Sequence, residues 1–230
     1  MALVMIHHSI FITGATGYLG RALIPALLGR GHTVRALARP ASVQRIPPGA
    51  QVIAGDALDP ESFAHAVAPA DTLVHLVGTP HPGPGRNPAF RAVDLHSVDA
   101  ALAAAATAGV RHFVYVSVAQ PAPVMWHYIA VRQVAESRIR ASGLAASILR
   151  PWYVIGPGHR WPGIMIPFYA LGERIPATRD AALRLGFVSL AQMVRALVAA
   201  VEQEPGDVRV VEVPAIRATA EHDSEPLRIK

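Results

Sequence analysis

The 230-residue chain contains no cysteine, and its 21 lysines and arginines include a single lysine, Lys230, at the end of the sequence. Without thiols, disulfide scaffolds, zinc–thiolate sites, iron–sulfur clusters and thiol nucleophiles are excluded, and a reducing cytoplasm is the expected compartment. Without an internal lysine there is no amine for a Schiff base, no lysine ligand of the P-loop kind and no lysine base inside the fold. No apolar run reaches the roughly 18 residues that a membrane-spanning helix needs, so no membrane span is expected. The opening Met1–Ile6 is apolar but has no basic lead and runs through His7 and His8 into a glycine turn, so it reads as a strand rather than a secretory leader.

What is present is a chain 52% hydrophobic, long enough for one large domain or a domain with a small appendage, and too apolar for disorder. The scarcity of lysine has a bland source, codon bias turning Lys into Arg throughout. Placement of the charge is more informative. Residues 1–55 hold Arg21, Arg30, Arg35, Arg39 and Arg45 and no acid, so they carry the whole net charge of +5, and residues 56–230 balance to zero. These arginines stand singly among apolar residues, which argues against nucleic acid as a partner and for an anionic small molecule near the N-terminus.

Short apolar runs alternate with helical stretches. The pattern predicts strands at Ser9–Thr13, His32–Leu37, Gln51–Ala54, Thr72–Val77, His112–Ser117 and Ala146–Arg150. It predicts helices over Tyr18–Arg30, Pro60–Ala68 with Asp59 as N-cap, Asn87–Ala108 ended by Gly109, and Tyr128–Ser142 stopped by Gly143. Such alternation implies an α/β fold, a doubly wound parallel sheet of Rossmann type with helices on both faces. From Pro151 to residue 186 the chain is rich in Pro, Gly and aromatics. Phe187–Ser189, a helix at Leu190–Glu202 and a strand at Val208–Val213 follow, and the polar residues from about Ala218 to Lys230 read as a frayed tail. The expected organisation is a nucleotide-binding core over residues 1–150, a substrate-side segment over 151–217 integrated into the same domain, and the tail.

Thr13-Gly14-Ala15-Thr16-Gly17-Tyr18-Leu19-Gly20 lies directly between the first strand and the first helix. A dinucleotide pyrophosphate needs a tight turn, a bare backbone to approach, and a helix N-terminus whose free N–H groups face the anion. Gly14 suits the turn, Gly17 the close approach and Gly20 the packing of helix on strand, so Gly14, Thr16, Gly17, Tyr18, Leu19 and Gly20 are candidate cofactor contacts. Roughly 20 residues past such a turn an acid would bind the ribose hydroxyls of NAD, whereas arginine would pair with the 2′-phosphate of NADP. Here Val34-Arg35-Ala36-Leu37-Ala38-Arg39 has two arginines and no acid, which favours NADP(H) over NAD. Asp56 closes the third strand on the same edge, where its carboxylate could meet the adenine amino group or simply cap a loop.

These residues, with Gly55-Asp56, His75-Leu76-Val77-Gly78, Val114-Tyr115-Val116-Ser117, Tyr128 and Leu149-Arg150-Pro151, resemble the short-chain dehydrogenase/reductase superfamily, in particular its atypical NmrA-like members and relatives of the NADPH-binding accessory subunit of respiratory complex I. The resemblance implies that Asp56 with Ala57, Val77 with Gly78, and Pro151 also line the dinucleotide. It further implies Ser117 polarising a carbonyl, Tyr128 exchanging the proton, and, four residues on, a lysine holding the nicotinamide ribose. Position 132 is Arg. Arg132 can fork to ribose hydroxyls and stabilise a tyrosinate, but it cannot lend a proton at working pH. A working Ser-Tyr-Arg variant, a cofactor binder without catalysis, and Tyr128 as ordinary packing are the three readings.

Ligands of doubly wound sheets bind beyond the carboxyl ends of the strands. Trp126, Trp152 and Trp161, with Met125, Tyr153, Met165, Phe168 and Tyr169, fall in those loops, so a small apolar or aromatic substrate is one reading and a lid with its own small core the other. His127, His159 and Arg160 are the polar groups expected nearby. The histidines lack metal-ligand spacing, and no metal is expected. The leading expectation is an NADPH-dependent oxidoreductase acting on a carbonyl or quinone-like molecule; the rival is a silent NADP(H) sensor or assembly factor acting through a protein partner. By analogy with the superfamily, helices flanking the sheet could pair two subunits into a homo-oligomer.

Overall fold

The computed structural model describes residues 7–79, 90–122, 124–158, 176–203 and 206–219. Seven parallel strands form one sheet in the order β3-β2-β1-β4-β5-β6-β9. They are β1 Ser9–Thr13, β2 Thr33–Ala38, β3 Gln51–Ala54, β4 Thr72–His75, β5 His112–Val116, β6 Ala145–Arg150 and β9 Arg209–Glu212. A separate two-stranded parallel ribbon pairs β7 Tyr153–Ile155 with β8 Phe187–Ser189. The helices are α1 Tyr18–Gly29, α2 His96–Ala108, α3 Trp126–Ala141, α4 Pro176–Arg184, α5 Leu190–Glu202 and α6 Val213–Ala218.

The strands are apolar on both sides because both faces of the sheet are covered. Ile10, Ile12, Val74, Val114 and Leu149 point to a core completed by Leu23, Ile24 and Leu27 of α1 and Met193, Leu197 and Val201 of α5. The alternate residues Phe11, Leu73, Phe113, Tyr115 and Ile148 face Val98, Ala101 and Ala105 of α2 and Val131, Ala135 and Ile139 of α3. Val188 and Trp152, from beyond residue 150, belong to the first of these cores. The chain winds outward from β1 to β3 and then restarts at β4, so a crevice opens at the carboxyl ends of β1 and β4, where doubly wound sheets bind ligands.

The doubly wound architecture matches the expectation; several elements differ. Pro60–Ala68 is two single 3-10 turns, Pro60–Ser62 and Ala64–Ala66, rather than a helix. Ser62 Oγ bonds the carbonyls of Asp56 and Asp59 and the N–H of Asp56, a local alternative to helical pairing, and Phe63 leaves the helical region at φ −140°. Asp59 nevertheless caps this turn, accepting from the Glu61 N–H at 3.1 Å. The expected helix from Asn87 is described only from Phe90, as a π turn over Phe90–Leu95 that leads into α2. Gly109, in the left-handed region at φ 69°, ends α2 as expected. Helix α3 starts at Trp126, two residues before Tyr128, and Val213, expected as the last residue of a strand, instead opens α6, which runs to Ala218 at the expected start of the tail. The strand expected at Met1–Ile6, the loop residues His159, Arg160, Trp161, Met165, Phe168 and Tyr169, and the tail beyond Thr219 lie outside the described residues.

Candidate nucleotide and proton-transfer site

The glycine turn sits where the crevice requires it. Gly14 has φ +73°, and a Cβ there would lie 2.6 Å from the carbonyl carbon of Leu76 and 2.8 Å from the nitrogen of Val77, so only glycine lets this turn rest on the loop that leaves β4. The Gly17 N–H donates to the Gly14 carbonyl at 3.0 Å, closing the turn. Gly17 is the N-cap of α1 and provides no side-chain cap, and the first turn holds no acid, so its N–H groups and positive dipole end are left for an external anion. Gly17 is exposed and Thr16, Tyr18 and Leu19 are half-buried around it, while Gly20 is buried against the Ala15 backbone. The Tyr18 ring reaches across to pack its hydroxyl on Gly156, and burial raises its pKa. A bare backbone cradle beside an uncapped helix end fits a dinucleotide pyrophosphate.

The two arginines of the second strand part company. Arg35 lies mid-strand and its Nη1 donates to the carbonyls of Ala66 and Ala68, so the structure corrects its assignment: it braces the loop ahead of β4 rather than facing a ribose phosphate. Arg39 follows the carboxyl end of β2, is exposed, and stands before the 3-10 turn Pro40–Arg45. Asp56 and Ala57 are half-buried at the same edge, where the Gly55 N–H bonds the Ala38 carbonyl; one Asp56 oxygen accepts from the Leu58 N–H at 3.0 Å, a loop-capping role. The chain carries no acid from β2 through Arg45, and Asp56 is the carboxylate at this edge.

Beyond β4, Val77 is half-buried and Gly78 exposed. Directly beneath Gly78 lies the Arg132 guanidinium, so close that a Cβ on residue 78 would strike Nη2. Arg132 is 4% exposed. Its Nη2 donates to Asp94 Oδ1 at 2.6 Å and its Nη1 to Tyr115 Oη at 2.9 Å and the Val116 carbonyl at 3.1 Å. Burial opposes its charge, but Tyr115, Tyr128 and Asp94 more than offset this and its pKa is raised. The ribose role expected of Arg132 thus meets a guanidinium already committed to interior acceptors. Behind it, His75 bonds Thr13 and Ser97, and burial, with the Arg132 charge, pushes its pKa down to about 3.

Tyr128, Arg132 and Glu136 follow one another at intervals of four on α3, one face of the helix. The Tyr128 ring is fixed by the edge of Phe90, centroids 5.2 Å apart, and by the Arg132 guanidinium carbon 5.0 Å from its centre. Its hydroxyl has no hydrogen-bond partner among the described residues. Ser117 is different. Its hydroxyl donates to Glu136 Oε1 at 2.6 Å, and that carboxylate also accepts from Gln120 at 2.9 Å and from the Arg150 fork at 2.9 and 2.5 Å. A carboxylate paired with Arg150 only accepts, so the Ser117 proton is committed inward and the expected carbonyl-polarising donor is corrected to a bond within the fold. Pro151 is buried, with its carbonyl taken by the Ala119 N–H at 2.9 Å.

Sequence reasoning missed Thr79, Asp94, Gln120 and Glu136, and named Arg150 only within the Leu149-Arg150-Pro151 stretch, without its partner. Only Glu136 carried a signal, its four-residue spacing from position 132. The tryptophans divide: Trp152 is 8% exposed and part of the core, whereas Trp126 is 78% exposed at the start of α3, beside half-buried Met125 and exposed His127. Among the described residues there is no group of three or more His, Asp or Glu able to hold a metal. No helix of the described residues is long and apolar enough to cross a membrane.

Residues 14–158, from the glycine turn to the loop after β7, match the family model described as NAD(P)H-binding. The chain belongs to this NAD(P)H-binding family. It is 32% identical over 228 residues to the 3-diazoavenalumate denitrifying reductase of a Streptomyces species, covering 85% of this chain and 72% of that protein. It is 32% identical over 149 residues to the ceramide reductase of Caulobacter vibrioides and 30% identical over 171 residues to the 2-alkyl-3-oxoalkanoate reductase of Stenotrophomonas maltophilia. These alignments cover 64% and 65% of this chain but only 46% and 52% of those two proteins, about half their length. Among solved structures, the fold is like that of the Thermotoga maritima UDP-glucose 4-epimerase, with a TM-score of 0.68 at 17% identity, covering 95% of this chain and 84% of that one. It is also like the Bordetella bronchiseptica enzyme WbmH in complex with NAD+, with a TM-score of 0.67 at 19% identity over 89% of this chain and 75% of that one. The resemblance to short-chain dehydrogenases/reductases read from the sequence therefore holds for family and fold.

Proposed function

We propose that this chain is an NADPH-dependent reductase of a small apolar or aromatic carbonyl or quinone-like compound. The observation that carries the reading is the Tyr128 hydroxyl. It is held rigidly by Phe90 and Arg132 at the carboxyl side of the sheet, one element away from the nucleotide turn, with no partner of its own among the described residues. A bound dinucleotide would supply the hydride to the carbonyl carbon. Tyr128 would donate its proton to the carbonyl oxygen, and the permanent charge of Arg132 on its ring face would favour the tyrosinate that remains until solvent reprotonates it. Arg39, exposed after a strand that carries no acid, supports the 2′-phosphate of NADP over the free ribose of NAD. The reductase names of the three relatives and the exposed Trp126 support an apolar acceptor.

A second reading, a silent NADP(H)-binding sensor, is favoured by Ser117 and Arg132, both committed to interior partners. Fluorescence titration with NADPH and NADH, followed by stopped-flow loss of NADPH absorbance over a panel of ketones, aldehydes and quinones, separates the readings. Binding with turnover supports the reductase, binding without turnover the sensor, and no binding of either nucleotide sinks both. An Arg39→Asp variant is expected to lose about tenfold or more in NADPH affinity, as a charge-assisted bond to phosphate requires, and to gain for NADH.

A further inference from the structure

Asp94 is 1% exposed and takes no part in the chemistry just described. It nevertheless receives three donors from two sides. The Thr79 N–H bonds its two oxygens at 3.1 and 3.2 Å, Thr79 Oγ1 donates to Oδ2 at 2.5 Å, and Arg132 Nη2 donates to Oδ1 at 2.6 Å. Thr79 ends the described part of the loop that leaves β4. The other end of that loop, Leu76–Val77, is in backbone contact with Gly14 of the nucleotide turn, and its exposed midpoint, Gly78, rests on the Arg132 guanidinium. The loop is therefore wedged between the pyrophosphate turn on one side and a buried ion pair on the other. In a sheet ordered β3-β2-β1-β4-β5-β6-β9, the adenine half of a dinucleotide lies toward β2 and β3, and the loop after β4 falls under its other half.

We propose that Asp94, acting through Thr79 and Arg132, is the positioning residue of the nicotinamide-half subsite: it sets the height of residues 76–79 against the nucleotide turn. The residue four positions after Tyr128 then serves the cofactor indirectly, from beneath the loop, rather than through the ribose. This rests on the reading of the chain as a dinucleotide binder. An ion pair of this depth also supports the fold, so the two roles must be separated by which half of the ligand responds.

The experiment measures binding of NADPH and of 2′,5′-ADP, which carries the adenine half alone, to the full chain and to Asp94→Asn, Thr79→Val and Thr79→Ser variants, with thermal unfolding followed in parallel. Asp94→Asn is expected to weaken NADPH about tenfold, the effect of degrading a bond to a charged group, while 2′,5′-ADP affinity stays within about twofold. Thr79→Val, which removes one donor at a half-buried loop position and leaves the ion pair, should weaken NADPH about threefold with the same selectivity, and Thr79→Ser should restore it. Equal losses for both ligands, or no loss for NADPH in the folded Thr79→Val protein, would overturn the proposal while leaving the cofactor reading intact. A wild-type chain that binds neither NADPH nor NADH removes the cofactor reading, and this proposal with it.

Discussion

At the amino end of the sheet three imidazoles are buried, two of them against carboxylates: His8 faces Asp71, and His32 Nε2 lies 3.1 Å from Glu202, which also pairs with Arg30. His8 Nδ1 lies 3.3 Å from Asp71, the His8 and His32 rings are 5.5 Å apart, and His112 Nε2 meets Ser147 Oγ at 2.9 Å. At the carboxyl end lie two guanidinium–carboxylate pairs, Arg132 with Asp94 and Arg150 with Glu136, together with the buried ring of His75. Burial, helped by the charges of His8 and Arg209, pushes the His112 pKa down to about 4, so it packs as a neutral ring. The contrast teaches that this fold leaves the ion pair of its amino end, Arg30 with Glu202, 38% and 25% exposed, and buries the pair beneath the nucleotide turn's loop, Arg132 with Asp94, to 5% and 1%.

The sharpest way to break that contrast is Arg132→Leu. It leaves Asp94 as an uncompensated buried carboxylate, and urea unfolding at pH 7 should show a loss of about 3–5 kcal/mol; a loss under about 1 kcal/mol would mean the pair does not organise the carboxyl end. Tyr128→Phe comes next. If Tyr128 is the proton donor, kcat/KM for a carbonyl acceptor should fall about 10²–10³-fold, while NADPH affinity and unfolding midpoint barely move. Ser117→Ala should act mainly on stability, about 1–2 kcal/mol for losing a bond to a buried carboxylate, and a kcat loss as large as that of Tyr128→Phe would instead restore Ser117 to the chemistry.

The weakest effect is that of acid. An imidazole whose folded pKa lies below its unfolded value of about 6.5 takes up its proton first in the unfolded chain. The stability that neutral His112 and His75 contribute is therefore complete above about pH 6.5 and drains away as pH falls toward about 4 and about 3 respectively. A thermal midpoint that falls steadily between pH 6.5 and 4, and falls less in a His112→Asn variant, is the expected result; a flat midpoint would show that these rings are not the acid-sensitive groups.

The parts of this molecule that could be read from the chain are those fixed by short-range pattern. The alternation of strands and helices and the turn Gly14–Gly20 each depend on residues within a few positions of one another. The failures share a cause as well. Arg35 and Arg39 look alike in sequence, and only the fold places one beside the Ala66 and Ala68 carbonyls and the other in solvent. Ser117 and Glu136 are 19 residues apart, and Asp94 and Arg132 are 38 apart, so nothing local announces that each pair will meet. In the stretch 60–68 the Ser62 hydroxyl turns back to the N–H and carbonyl of Asp56 and the carbonyl of Asp59, a local closure that replaces a continuing helix.

The glycine at 78 has a consequence for how this chain can change. While Arg132 lies under it, any side chain at 78 collides with Nη2, and while Asp94 faces inward, any residue at 132 unable to reach it leaves a bare buried charge. The three positions are thus expected to be mutually epistatic: exchanging Arg132 for lysine would shorten the reach to Tyr115, Val116 and Asp94 at once, and a side chain added at 78 alone would not repair it. Each single step away from the present arrangement passes through a less stable chain. The guanidinium is fixed where it lies by Asp94, Tyr115 and the bare backbone of Gly78.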